Sequence, residues 1–188
     1  MPALPAEFEI NKARITNNDS VTSSESQSKI FLQRKTPGQR WDINLKSVKM
    51  DLDAADAVWG FAAARTQDLL LWDVVLPRYS YSEGTVDKTV NDDFVIGQTS
   101  VSFNSTAADV RVGKYFQFAG HSKVYIATSK NGNSITFAPA LVRPVADDEA
   151  VTFNDITWSC KLRGRPLEFN VSGDEQSVVM ELDLVEAL

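Results

Sequence analysis

Cysteine and histidine each occur once in this chain, as Cys160 and His121, and that scarcity excludes several kinds of chemistry at the outset. A lone cysteine forms no internal disulfide, and a histidine with no second histidine or thiol beside it builds no standard zinc site. Glycine is sparse as well. Gly84, Gly97, Gly113, Gly120 and Gly132 stand singly, as turn residues do, so no glycine-rich loop is present to cradle a phosphate. No stretch approaches the ~20 apolar residues of a spanning helix, and the start, Met1-Pro-Ala-Leu-Pro-Ala-Glu, has neither a basic leader nor an apolar run. The expectation is synthesis in a cytoplasm without membrane insertion. Positive charge is also in deficit: 19 Lys and Arg against 25 Asp and Glu give a formal charge of -6. That balance removes the broad attraction on which nucleic-acid binders depend, so no nucleic-acid partner is expected. Three tripeptides beginning at Asn18, Asn104 and Asn170 fit the glycosylation pattern, but without a secretory route they read as chance.

What is present suffices for a core. Of 188 residues, 43% are hydrophobic and 10% aromatic, which allows one large or two small domains. Residues 8–16 read as extended, and the Asn-, Ser- and Thr-rich stretch 17–28 reads as a loop. Residues 29–35 form a short strand candidate, Thr36-Pro-Gly-Gln a turn, and Trp41, Ile43 and Leu45 alternate with Asp42, Asn44 and Lys46, so the two runs predict a hairpin with one buried face. The period then changes. Leu52, Ala55, Trp59, Ala62 and Ala63 recur at helical spacing over residues 51–65, with Asp51 or Asp53 to cap the first turn and Trp59 expected to bury against the following strand, residues 69–76. Pro77 ends that strand. From Tyr79 the texture is all-β, with strand candidates at 93–96, 100–103, 115–119, 123–128 and 134–137 and a hairpin signal at Asn131-Gly132. Beyond the acidic knuckle Asp147-Asp-Glu149, strands are predicted at 151–153, 157–163, 168–171 and 177–185, the last with Val178, Met180, Leu182 and Leu184 on one face.

The predicted fold class is therefore mainly β, an α+β outer domain of sheet plus helix with a small OB-like β-barrel inserted in it. The outer domain is discontinuous, residues 1–84 and 151–188, and the inserted barrel comprises residues 85–150.

No constellation of nucleophile, base and orienting group is apparent. His121, next to Gly120, reads as a turn residue between strands, and Cys160, flanked by Trp158 and Leu162, as a small buried apolar residue. The pair Asp92-Asp93 and the run Asp147-Asp148-Glu149 cannot straddle a glycosidic bond as neighbours in sequence; they read as solvated turns, with calcium held at a loop as the alternative. Tyr79 and Tyr81 alternate with Ser80 and Ser82, and Tyr115, Phe116, Phe118 and Tyr125 lie in the barrel segment; the barrel residues are read first as packing residues and second as rings that could stack on a sugar or on another subunit. The basic run Lys161-Leu-Arg-Gly-Arg165 reads as a solvated or subunit-pairing face. Catalytic residues, cofactor and metal are each predicted to be none.

Three stretches resemble a known family. They are Leu71-Trp-Asp-Val-Val-Leu-Pro-Arg-Tyr79 at the end of the helix-then-strand unit, the strand pair from Gly113-Lys-Tyr-Phe-Gln-Phe-Ala-Gly to Lys123-Val-Tyr-Ile-Ala-Thr128, and Ile135-Thr-Phe-Ala-Pro-Ala-Leu-Val-Arg-Pro-Val-Ala-Asp-Asp-Glu-Ala-Val151. In this order they resemble the distal tail proteins of siphovirus bacteriophages, in the T5-like form. The resemblance implies a structural protein of the virion and not an enzyme: a homohexameric ring joining the tail tube protein to tail hub or tip proteins, with the barrel projecting outward. The alternative is a carbohydrate-binding module whose barrel docks a host surface saccharide.

Overall fold

Fourteen strands and one helix make up the described part of the computed structural model, which covers residues 3–19, 21–25, 29, 31–35, 38–68, 71–76, 87–163, 168–171 and 177–187. The protein is mainly β, as expected, and its strand pairings are antiparallel wherever the register is defined. Two compact units emerge: Leu4–Leu71 with Cys160–Ala187, and Trp72–Ser159 with the extreme N-terminus. One unit thus comes from two flanking segments and the other from the middle of the chain. The divisions fall at 71/72 and 159/160, whereas sequence texture placed them at 84/85 and 150/151.

In the flanking unit, β1 (Ile10–Asn18) pairs with β4 (Arg40–Ser47), and β4 with β14 (Val178–Glu186). On its other side β14 carries β13 (Glu168–Val171) along its first half and residues 160–162 of β12 (Thr157–Leu162) along its second. The alternation in β4 and β14 does what the sequence predicts. Trp41, Ile43, Leu45, Val178, Met180, Leu182 and Leu184 point into one core, because successive strand side chains alternate between faces.

The helix α1 (Leu52–Asp68) packs on β14. Asp51 caps it: its carboxylate accepts a hydrogen bond from the Ala54 amide at 2.8 Å, satisfying a donor left over in the first turn. At the other end the Arg65 guanidinium lies over the Phe61 ring, 5.2 Å from its centroid. The buried stripe is Ala55, Val58 and Ala62: Ala55 and Ala62 are on the predicted stripe, but Val58 takes the place expected of Trp59, and Leu52 and Ala63 are exposed. Leu52 is 45% exposed and Trp59 half-buried, so the helix is rotated toward Val58. Alanine faces pack closely whichever way the helix turns, and Val58, 1% exposed, is the largest side chain of the buried stripe.

Two further expectations fail here. The polar stretch 17–28 is not all loop, since β2 (Val21–Glu25) pairs with β3 (Phe31–Lys35) from Val21↔Lys35 to Glu25↔Phe31. β3 therefore belongs to that hairpin and not to one with β4. Main-chain hydrogen bonds form such a ribbon without an apolar face, which is why hydrophobic periodicity does not reveal it.

In the middle unit, β5 (Trp72–Val75) lies next to β12, with Trp72 and Val74 fully buried. Of the strand expected over 69–76, residues 69–70 lie outside the described residues. A six-stranded sheet follows, in the order β6 (Asp87–Thr89), β11 (Ala150–Thr152), β8 (Tyr115–Phe118), β9 (Tyr125–Asn131), β10 (Ser134–Ala138), β7 (Ser100–Ser102). Its two edges meet just beyond β6 and β7, at the bridge Val90↔Phe103, where Asn91 N donates to Ser102 O at 2.9 Å and Asn104 N to Thr89 O at 3.0 Å. The pairings thus return to where they began.

Inside lies an aromatic core centred on Phe116, whose ring centroid is 5.4 Å from Phe118, 5.7 Å from Tyr125, 5.6 Å from Phe137 and 5.4 Å from Phe153. Phe153 explains why residues 151–153 fold with this unit: β11 pairs with β6 and β8 and delivers that ring to the core. The expected strand at 93–96 is only a bridge, Phe94↔Val145, beyond which Val95 and Ile96 stand 64% and 63% exposed. The β9–β10 turn is Gly132-Asn133, one residue later than predicted, with positive φ at Gly132, the arrangement of a turn with glycine first.

Candidate functional site

His121 follows the β8 strand as a turn residue, yet its ring is buried. Its Nδ1 lies 2.9 Å from the Tyr125 hydroxyl and its Nε2 3.3 Å from the Pro144 carbonyl. Burial pushes the imidazole below its ordinary pKa; the Pro144 carbonyl and Glu149 act in the opposite sense, and Arg143 reinforces the lowering. This histidine ties the β8–β9 connection to the segment around Pro144. Cys160 is fully buried in β12, as its apolar neighbours predict.

The acidic groups meet in space. Asp147 N donates to Asp93 Oδ1 at 2.9 Å, so the loop of Asp92 and Asp93 touches the knuckle of Asp147, Asp148 and Glu149. Asp148 sits at φ 59° and accepts from the Asn104 amide, while Glu149 accepts from the Gly120 amide at 2.9 Å and the Ala146 amide at 3.1 Å. Asn104, Asp148 and Glu149 thereby organise the turn. Among the described residues no cluster of three His, Cys, Asp or Glu is placed to hold a metal ion. A separate buried cation, Lys88, donates to Thr106 O at 2.7 Å and pairs with Asp109 at 2.9 Å; the hydrogen bond from Lys88 to Asp109 holds that carboxyl below the usual carboxylate range.

Of the aromatic residues considered for stacking on a sugar, Phe116, Phe118 and Tyr125 are core residues with no exposed face. Tyr115 is half-buried and packs edge-on against Trp158 at 5.2 Å, while Tyr79 and Tyr81 lie outside the described residues. Core packing, the first reading of Phe116, Phe118 and Tyr125, is thus what the structure shows for these three rings.

The surface with most to offer a partner is the second face of the flanking unit's sheet. Registers place its residues in rows across the strands: Lys12, Lys46 and Glu181; Arg14, Asn44 and Asp183; Thr16, Asp42 and Val185. Lys161, opposite Val185, and Arg163 extend those rows. Asp42 is held by Arg163 at 2.9 Å and by the Asn18 amide at 2.9 Å, with Arg40 Nε at 3.7 Å. Asn44 donates to Asp183 at 2.6 Å, and Lys46 pairs with Glu181 at 2.9 Å. An open polar depression of about 340 Å³ lies over the middle rows. Six basic residues (Lys12, Arg14, Arg40, Lys46, Lys161 and Arg163) stand here against four acidic ones (Asp42, Glu181, Asp183 and, in register with Glu181, Glu168), so the face is positive on a chain whose total is -6.

The run 161–165 was the one part of this face that sequence reasoning marked. Gly164 and Arg165 lie outside the described residues. The rest was missed, although the period-two spacing of Lys12, Arg14 and Thr16, read together with Asp42, Asn44 and Lys46, is its signal. No described helix is long and apolar enough to cross a membrane. The chain matches no protein-family model and no curated protein.

Proposed function

We propose that this chain is a structural protein of a bacteriophage tail tip, a distal tail protein of siphovirus type. It forms a homohexameric ring that joins the tail tube protein to the hub or tip proteins and resides in the virion. The observation that carries the reading is the path of the chain: a helix-backed antiparallel sheet built from two flanking segments, with an all-β unit formed by the segment between them. That is the organisation the family resemblance implies, with the middle unit in the role of a projecting OB-like barrel. A function of this kind lies in the geometry of subunit contacts and calls for no catalytic group.

The test is the position of the chain in the virion. An antibody against the purified protein should decorate the end of the tail tube, and reconstruction of that region should show the chain in a ring of six-fold or three-fold symmetry. Decoration elsewhere, or another symmetry, overturns the reading.

A further inference from the structure

The positive sheet face is only partly neutralised. Lys46, Arg163 and Arg40 lie beside Glu181 or Asp42, but Lys12, Arg14 and Lys161 are exposed and have no acidic partner among the described residues. Lys12 and Arg14 stand two residues apart on β1, and Lys161 lies three strands away, so these cations span about 14 Å of sheet at the usual strand spacing. A surface of that breadth suits a folded loop better than a single small anion.

The complementary surface is on the same chain. Asp92, Asp93, Asp147 and Asp148 are exposed on two loops of the middle unit, fastened together by the Asp147 to Asp93 hydrogen bond and the Phe94↔Val145 bridge, and none has a cationic partner among the described residues. The loops are pre-shaped by backbone hydrogen bonds: Asp148 N donates to Val90 O at 2.9 Å and Glu149 N to Ala146 O at 3.2 Å. Little conformational entropy remains to be lost when they dock.

We propose that the sheet face bearing Lys12, Arg14 and Lys161 docks the acidic loop pair of a second copy of this chain, head to tail. The inference rests on the ring reading above and names its contact. One patch meeting a different patch on the neighbour is the heterologous geometry that closes into rings. Exposed ion pairs are individually weak, so isolated copies associate weakly and in a salt-dependent way.

The test is sedimentation velocity of the full chain across a concentration series. Association is expected at about 0.01 M ionic strength and should weaken about tenfold by about 0.15 M, as the screening length falls from about 30 Å to about 8 Å. A chain carrying Lys12→Glu, Arg14→Glu and Lys161→Glu, and another carrying Asp92→Lys and Asp147→Lys, should each lose association. The chain carrying all five should regain it, a recovery that a general change in net charge does not produce. Circular dichroism confirms folding. If a reversed chain misfolds, the neutral Lys12→Gln, Arg14→Gln, Lys161→Gln chain carries the test and should also associate more weakly than the unaltered protein. A chain monomeric at low salt, association unaffected by the substitutions, or no recovery in the fivefold variant overturns the proposal. None of these results moves the virion decoration, which decides the tail-tip reading separately.

Discussion

Phe116→Ala is the sharpest probe of the middle unit. The ring is fully buried, and four other aromatic rings lie within 6 Å of its centroid. Deleting a buried phenylalanine costs about 3–5 kcal/mol through lost transfer energy and the cavity left behind. The edge-on contacts to Phe118 and Phe137 add about 0.5–1.5 kcal/mol each, and the surrounding rings, fixed by one another, have little freedom to collapse inward. The upper end of the range is therefore expected. Phe116→Leu keeps most of the volume but loses ring geometry, and should cost about 1–2 kcal/mol. The assay is urea denaturation followed by tryptophan fluorescence, because Trp72 and Trp158 are buried in this unit while Trp41 and Trp59 belong to the other. With a slope of about 1.5 kcal/mol/M, a loss of 4–5 kcal/mol lowers the midpoint by about 3 M. A loss below about 1.5 kcal/mol for the alanine variant, or equal losses for alanine and leucine, would refute the packing described for this core.

Other expectations can be checked with the same measurements. Val58→Ala should cost about 1–3 kcal/mol and exceed the cost of Trp59→Ala, since Val58 is buried and Trp59 only half-buried; the reverse order would mean that the helix is rotated as its sequence first suggests. Asp51→Ala should cost about 0.5–2 kcal/mol through loss of the cap, and Asp51→Asn much less, by thermal or urea unfolding. Because His121 has a folded pKa below its ordinary 6.5, the unfolded chain takes up the proton first as pH falls; stability should decline from about pH 6.5 downward until the folded form also protonates. His121→Gln should flatten that dependence, and an unchanged pH profile would show that burial does not disfavour the charged imidazole.

How much of this was legible depended on whether a residue's surroundings lie near it in sequence. The faces of β4 and β14 could be read directly, because alternation within one strand decides them. The existence and cap of α1 were equally legible, but not its rotation, since several of its faces carry small or apolar residues and only the sheet beneath selects one. Phe94, Val95 and Ile96 look like a strand in isolation, yet only Phe94 turns inward, toward the Val145 segment. The burial of His121 depends on Tyr125 and Pro144, of which the latter is 23 residues away. The positive face was least legible of all, since each of its rows gathers residues from both ends of the chain.

The position of β14 governs the order in which the protein can be completed. This strand is central to its sheet, between β4 on one side and β12 and β13 on the other, and Asn44 meets Asp183 across 139 residues of chain. At about 5–20 residues per second, a ribosome that has released β4 needs about 7–28 s to supply its neighbour. During that interval β1 and β4 present an unfinished edge, while every strand of the middle sheet has already been synthesised. The nascent chain therefore acquires its middle unit first and seals the flanking one last, so incomplete translation products combine a finished middle with a strand edge open to mispairing.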